Sequence, residues 1–238
     1  LYIISGETGF KKTDEKILQS IGTVRKIDYK SIRDYFSLKL LFNLIWCETI
    51  VIWFASIHAL PVILLNYLFN KRLLIIAGGF DVANEPVIKY GAMQGKSRAR
   101  FGKWLLSRAH IVIAVSKSNK HEIINNAFVP INKIKLIYNA IPDSKNSQNI
   151  VKKNIVLTVG EINKETFKRK GLDRFIAVAK KMPNVQFIHI GKWTNNKGIP
   201  CEAMIRYVKK ISSPNIQYLG YVNTEVLRQY YLESKVYL

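Results

Sequence analysis

Apolar positions along this chain alternate between two spacings. Short β-branched runs closed by glycine or a polar turn give way to stretches where apolar residues return every three or four positions. The clearest instance lies between Asn154 and Trp193. Ile155, Val156, Leu157 and Val159 form a run that ends at Gly160, as expected of a strand buried on both faces of a parallel sheet. From Gly171 the spacing becomes helical, with Leu172, Phe175, Ile176 and Ala179 on one face. Pro183 and Asn184 close that helix before a second apolar run, Val185 to Ile190. This is one βαβ unit, in which ligands sit beyond the carboxyl ends of the strands.

The same alternation predicts the rest of the chain. Leu1 to Ser5 predicts a strand, followed by Gly6-Glu7-Thr8-Gly9, which is not a GxGxxG pattern and fits a plain turn. Thr13 is placed to cap a helix with Asp14 and Glu15 in its first turn, and Gly22 to end it. Thr23 to Asp28 predicts a strand and Phe36 to Trp46 a helix. Thr49 to Phe69 is 21 residues without a charge, long enough to cross a bilayer. Its first part is β-branched and aromatic, Ser56-Ile57-His58 interrupts it, and Pro61 suits a helix's first turn. It reads as a buried strand and a buried helix, with a membrane span as the alternative.

Leu73 to Ala77 predicts a further strand, ending in Gly78-Gly79-Phe80-Asp81. Asp81 is then either a carboxylate at the mouth of the sheet or the cap of a helix. Gln94 to Arg108 predicts a helix without an acid. Lys96, Arg100 and Lys103 share one face, and Phe101, Trp104 and Leu105 another. Such a helix either lies on an anionic membrane or packs its apolar stripe into the core. Strands over Ile111 to Val115 and Ile134 to Tyr138 follow, the second ending at Asn139, with a helix starting at Ser116 to Ser118 between them. Asp143 to Lys153 has no period and reads as a linker. Beyond the βαβ unit come a helix near Glu202 to Ile211, a strand from Ile216 to Leu219 ending at Gly220, a helix over Thr224 to Leu232 and a last strand. The chain thus predicts two α/β domains, 1–143 and 154–238, joined by 144–153.

Composition narrows the function. Hydrophobic residues make up 48% of the 238, which supplies a core and excludes general disorder. The net charge of +21 is spread evenly, about +10 on residues 1–143 and +11 on 144–238, so it is no appended tail. It implies a polyanionic neighbour: nucleic acid, an anionic membrane surface or phosphorylated substrates. Cys47 and Cys201 are far apart and no HExxH occurs among the four histidines, so neither a disulfide framework, a metal nor a cofactor is expected, and a reducing, cytoplasmic setting fits. Lys164, Lys168, Arg169 and Lys170 crowd the loop after the first strand of the βαβ unit. They form either a solvated basic loop or an anion site aided by the next helix's N-terminus. The chain opens at Leu1 without Met and stops in what reads as a strand, so both ends look cut, and no signal peptide is visible.

RAHIVIAVSKSNKHEI, KIKLIYNAIP, TVGEINKETFKRKGLDRFI, FIHIGKW and IQYLGYVNTEVLRQYYLESKVYL, in that order, resemble the landmarks of retaining glycosyltransferases of the GT-B fold, the family called group 1 or family four. The likeness covers about residues 73 to 238. It implies two Rossmann-like domains with parallel sheets facing across a cleft, the second incomplete. A nucleotide-sugar donor, a UDP- or GDP-sugar, would sit on the second domain, and a glycan or lipid-linked acceptor on the first. In the family an Arg after the first strand's glycine and a Lys in a Lys-Gly pair hold the donor diphosphate. Lys170-Gly171 matches the second. Glu161, after Gly160, stands where the Arg is expected, so Lys164, Lys168 or Arg169 would have to supply that cation. By the same matching, Gly191 and Gly220-Tyr221-Val222 fall near the nucleotide base, Gly6 to Gly9 and Asn139 line the cleft, and Asp81, a candidate catalytic residue beside Lys170, falls near a cleft residue that is often His. The family's carboxylate pair would follow Leu238.

The resemblance implies catalysis by fixed cations and helix N–H groups at the departing phosphate, with Lys170 foremost. Two other readings stand beside it: a GT-B nucleotide-sugar epimerase and a basic nucleic-acid-binding protein. The chain holds no recognised nucleic-acid module, and its cations are not gathered in one motif, so no specific nucleic acid is expected. Peripheral attachment to the inner face of a membrane is compatible with a lipid-linked acceptor.

Overall fold

The structure, a computed structural model, describes residues 1–31, 34–35, 37–141, 150–164, 166–194 and 200–238. The chain divides into two units, Leu1–Asp143 and Ser144–Leu238. The first is built on strands β1 (Tyr2–Ile4), β2 (Lys26–Asp28), β3 (Thr49–Trp53), β4 (Arg72–Ala77), β5 (Ile111–Ala114) and β6 (Ile134–Leu136). They pair in the order β2-β1-β3-β4-β5-β6, and each pairing is parallel. Successive side chains of a strand point to opposite faces, and here both faces are buried. Ile3, Ile50, Ile52, Leu73 and Ile75 enter one apolar layer, whereas Tyr2, Ile4, Val51, Trp53 and Ile76 enter the other. That double burial explains why these strands read as continuous apolar runs.

The helices of this unit are α1 (Gly9–Ile21), α2 (Leu38–Trp46), α3 (Ala59–Phe69), α4 (Lys96–Arg108) and α5 (Lys117–Asn125). The uncharged segment 49–69 is β3 followed by α3, and no described helix is long and apolar enough to cross a membrane. His58 fixes the break: its Nε2 lies 2.7 Å from the Trp53 carbonyl and its Nδ1 2.7 Å from Ser56 Oγ. α1 starts at Gly9, four residues before the expected cap. Thr8 takes the extended conformation of an N-cap, and Thr13 lies inside the helix, its hydroxyl donating back to the Gly9 carbonyl at 3.2 Å. The acids expected in the first turn serve the fold instead: Asp14 accepts from the Trp53 indole at 2.9 Å and Glu15 pairs with Lys26 at 2.6 Å.

The second unit carries β7 (Lys153–Val159), β8 (Gln186–Ile190), β9 (Ile216–Gly220) and β10 (Ser234–Tyr237), with α6 (Thr166–Arg169), α7 (Leu172–Lys181), α8 (Glu202–Ile211) and α9 (Thr224–Glu233). Its sheet order is β10-β7-β8-β9, again parallel throughout. α7 buries Leu172, Phe175, Ile176 and Ala179, the face its spacing predicted. The basic stretch after β7 is not all loop. Asn163 and Thr166 exchange side-chain to backbone hydrogen bonds of 2.8 Å each, and this reciprocal clasp starts the short helix α6. Residues 142–149, which include Ser144 to Asn149 of the expected linker, lie outside the described residues.

In both sheets the unit's first strand has a neighbour on each side. β1 lies between β2 and β3, and β7 between β10 and β8. The chain leaves β1 toward β2 and returns on the other side as β3, and it leaves β7 toward β8 and returns on the other side as β10, which places a crevice at the carboxyl ends of these strands.

Candidate functional site

At the carboxyl end of β7, against the end of β10, lies a cavity of about 300 Å³. Gly160, Glu161, Arg169, Lys170, His189 and Leu238 are among its lining residues. It occupies the switch point between β7 and β10, the position that parallel topology alone would choose.

Gly160, in its lining, belongs to a row of strand-end glycines. The Gly160 amide donates to the Ile190 carbonyl at 2.9 Å, and the Gly191 amide to the Gly220 carbonyl at 2.8 Å, so three neighbouring strands end in a laced row of glycines. A Cβ on Gly191 would fall on the Gly160 carbonyl oxygen, so this close approach requires glycine. Lys170 closes α6, its amide donating to Thr166 O at 2.7 Å, and its side chain runs past Gly160. A Cβ built there would stand 3.8 Å from Lys170 Cδ. Gly171 then takes a left-handed conformation, φ 70°, which turns the chain from α6 directly into α7.

Of the four cations predicted around this site, Arg169 and Lys170 line the cavity, while Lys164 and Lys168 are exposed and lie outside its lining. Glu161 lines it too. Its carboxylate accepts a hydrogen bond from Thr194 Oγ1, and its carbonyl one from Thr166 Oγ1 at 2.6 Å. Val222 packs against the apolar layer of Ile188 and Ile190, whereas Tyr221 is 72% exposed with Lys192 Nζ 4.9 Å from its ring centroid. Among the described residues no cluster of three His, Cys, Asp or Glu could hold a metal.

His189, weighed in the sequence only as one of four histidines without a metal motif, belongs to the site's lining. It is 3% exposed, lines the cavity, and packs its ring against Trp193 and Tyr218, with centroids 6.0 and 5.8 Å away. Its Nδ1 is buried without a hydrogen-bond partner among the described residues. Burial pushes the imidazole down to about 4, so it is neutral at pH 7. A histidine in the middle of a β-branched run, two positions before a glycine, was the available signal.

The first unit's predicted residues all sit on segments leaving the carboxyl ends of its strands. Gly6, φ 71°, follows β1, and its amide donates to Asp28 at 2.8 Å; Gly9 opens α1; exposed Asn139 follows β6. Asp81 is 3% exposed, and its two oxygens accept from the Ala55 and Gly79 amides at 3.0 Å each. Burial raises its carboxyl above the ordinary range, against those hydrogen bonds. The spacing had also passed over Lys11, which is 3% exposed; its Nζ donates to the Ser5 and Gly6 carbonyls at 2.9 and 2.6 Å and lies 5.2 Å from the Phe54 ring centroid. Phe54 itself has φ 69°, a strained value for a residue with a side chain.

No protein-family model matches the chain, and no curated protein is significantly similar to it in sequence. Solved structures do match. Sucrose-phosphate synthase from Thermosynechococcus elongatus superposes with a TM-score of 0.69 at 14% identity, covering 99% of this chain and 74% of that one. HepE from Anabaena, in complex with UDP, gives 0.61 at 13% identity over 98% of this chain and 64% of that chain. The fold is GT-B. A glycosyltransferase from Rickettsia africae gives 0.59 at 16% identity over 98% and 62%. This GT-B chain therefore spans less than two thirds of the length of two of these three structures.

Proposed function

We propose that this chain belongs to a glycosyltransferase that moves a sugar from a nucleotide-diphosphate donor to an acceptor hydroxyl with retention. The observation that carries the reading is the cavity at the β7/β10 switch point, rimmed by Arg169 and Lys170. The UDP complex and the glycosyltransferase among chains of like fold support it. In the reaction the bond from the sugar's anomeric carbon to the diphosphate breaks and a bond to the acceptor oxygen forms on the same face. The acceptor's proton passes to the leaving phosphate. What the protein must supply is stabilisation of the charge growing on that phosphate. Lys170 gives it from the rim beside Gly160, and Arg169 takes the part of the cation that Glu161 displaces. The α7 N-terminus adds to the field, although Asp173 holds its Arg174 amide at 2.9 Å. Gly191, Gly220, Tyr221 and Val222 receive the base. Asp81 acts by holding the segments after β3 and β4, and Gly6, Gly9 and Asn139 face an acceptor, either a glycan or a lipid-linked sugar at the cytoplasmic face of a membrane.

Calorimetric titration with UDP, GDP and their sugar conjugates tests this. Saturable binding of one nucleotide, weakened by about 1 to 3 kcal/mol in Lys170→Ala, is expected from the loss of a charge-assisted hydrogen bond. Binding that Lys170→Ala leaves unchanged would move the donor elsewhere. Release of free nucleotide only when acceptor is present separates transfer from epimerisation.

A further inference from the structure

The first unit carries an apolar surface that its described residues leave uncovered. On α2, Leu38, Phe42 and Ile45 are 70%, 65% and 56% exposed at helical spacing, with Trp46 beside them. On the adjoining α3, Leu64, Tyr67 and Leu68 are 51%, 57% and 77% exposed. α3 is apolar on every side, yet it buries only the face carrying Ala59, Val62, Ile63 and Asn66. A helix that is apolar all round needs apolar surroundings on all sides.

The charges around this surface select what covers it. The Arg25 guanidinium lies 4.2 Å from the Trp46 ring centroid, Arg108 lies 5.7 Å from that of Tyr67, and Lys71 Nζ donates to the Ile45 carbonyl at 3.5 Å. Lys39 is exposed on α2 itself. α2, α3 and the neighbouring α4 contain no acid, and Glu48, past the end of α2, is the one acid between residues 37 and 80. A second copy of this chain would set these cations against their own kind. An anionic bilayer would accept the leucines, place the aromatic rings at headgroup depth and pair the cations with lipid phosphates.

We propose that the α2–α3 surface docks this unit on an anionic lipid bilayer. This assigns the contact to exposed apolar side chains ringed by cations, not to the basic face of α4, whose Phe101 and Trp104 pack against the core. The proposal extends the transferase reading by giving a lipid-linked acceptor a route to the enzyme, but it stands or falls on a separate measurement.

The test is co-sedimentation of the full chain with phosphatidylcholine vesicles containing about 30% phosphatidylglycerol, the anionic component that attracts basic surfaces. The paired variants Phe42→Glu with Leu68→Glu, and Phe42→Ser with Leu68→Ser, are compared with Lys96→Glu with Arg100→Glu. Circular dichroism checks the fold of each, and UDP titration of the same samples reads the donor site independently. The expected result is that the wild type pellets with the vesicles and that both α2–α3 variants lose about tenfold or more in partition. Failure of the wild type to pellet, or full binding by folded α2–α3 variants, would overturn it. So would loss confined to the α4 variant, or a lipid-free dimer that the α2–α3 changes dissolve, which would make a second copy the occupant. Absence of UDP binding in vesicle-bound protein would count against the donor site and leave the docking surface in place.

Discussion

The two switch points of this molecule have the same topology and opposite occupancy. At β1/β3 the chain fills the crevice mouth with itself: the Lys11 ammonium donates to two carbonyls beside Phe54, and Asp81 ties the segments after β3 and β4. At β7/β10 the corresponding end is a cavity, lined by Gly160 and rimmed by Arg169 and Lys170. Parallel topology provides the crevice; the residues after the strands determine whether it is filled from within. A buried lysine bonded to carbonyls maintains the fold, whereas a lysine at a cavity rim remains available to a ligand.

The sharpest way to break the contrast is to disrupt the glycine row beside the second mouth. Gly191→Ala sets a methyl against the Gly160 carbonyl, and we expect it to cost about 3 kcal/mol or more in urea unfolding and to abolish nucleotide binding. Next in size is the pH response of His189. Its folded value lies below the ordinary one, so as pH falls the unfolded chain takes up the proton first. Stability is therefore unaffected above about pH 6.5 and declines toward pH 4, by roughly 3 kcal/mol at most. The drop in urea midpoint between pH 7 and about 4.5 should be smaller in His189→Gln than in the wild type.

The lysine pair sharpens the comparison directly. Lys11→Met, which leaves two carbonyls unpartnered, should lower stability by about 1 to 3 kcal/mol and leave UDP affinity unchanged. Lys170→Ala should do the reverse. The smallest effect is expected at Glu161. Replacing it with Gln removes a partly screened negative charge from the rim and should tighten UDP binding by less than about 1 kcal/mol, read by calorimetry.

Much of the second mouth was legible because its signals are local. A β-branched run ending in glycine gives both a strand and the direction of its open end, and Lys170-Gly171 lies within the same 40 residues as Gly160 and Gly191. What escaped depends on distant partners. Lys11 reads as one more surface lysine until the β1 segment and Phe54 are folded around it. His189 reads as a strand residue until Trp193 and Tyr218 close on it. α6 has no apolar period to detect, only the Asn163 and Thr166 clasp that starts it. α1 was misplaced because its acids, which resemble a first turn, serve Trp53 and Lys26 instead.

The pairing of β10 with β7 has a consequence for assembly. The ion pair that joins the start of β7 to the end of α9, Lys153 with Glu233, links residues 80 apart in sequence, as does the Thr158 hydroxyl that donates to Leu238. During vectorial synthesis β7, β8 and β9 can form while the cavity still lacks a wall, because Tyr237 and Leu238 reach it only when β10 docks. Long-range parallel pairing is slow, so this wall joins the cavity after β7, β8 and β9 have paired. Docking of β10 on β7 is then the step that sets this wall of the cavity in place.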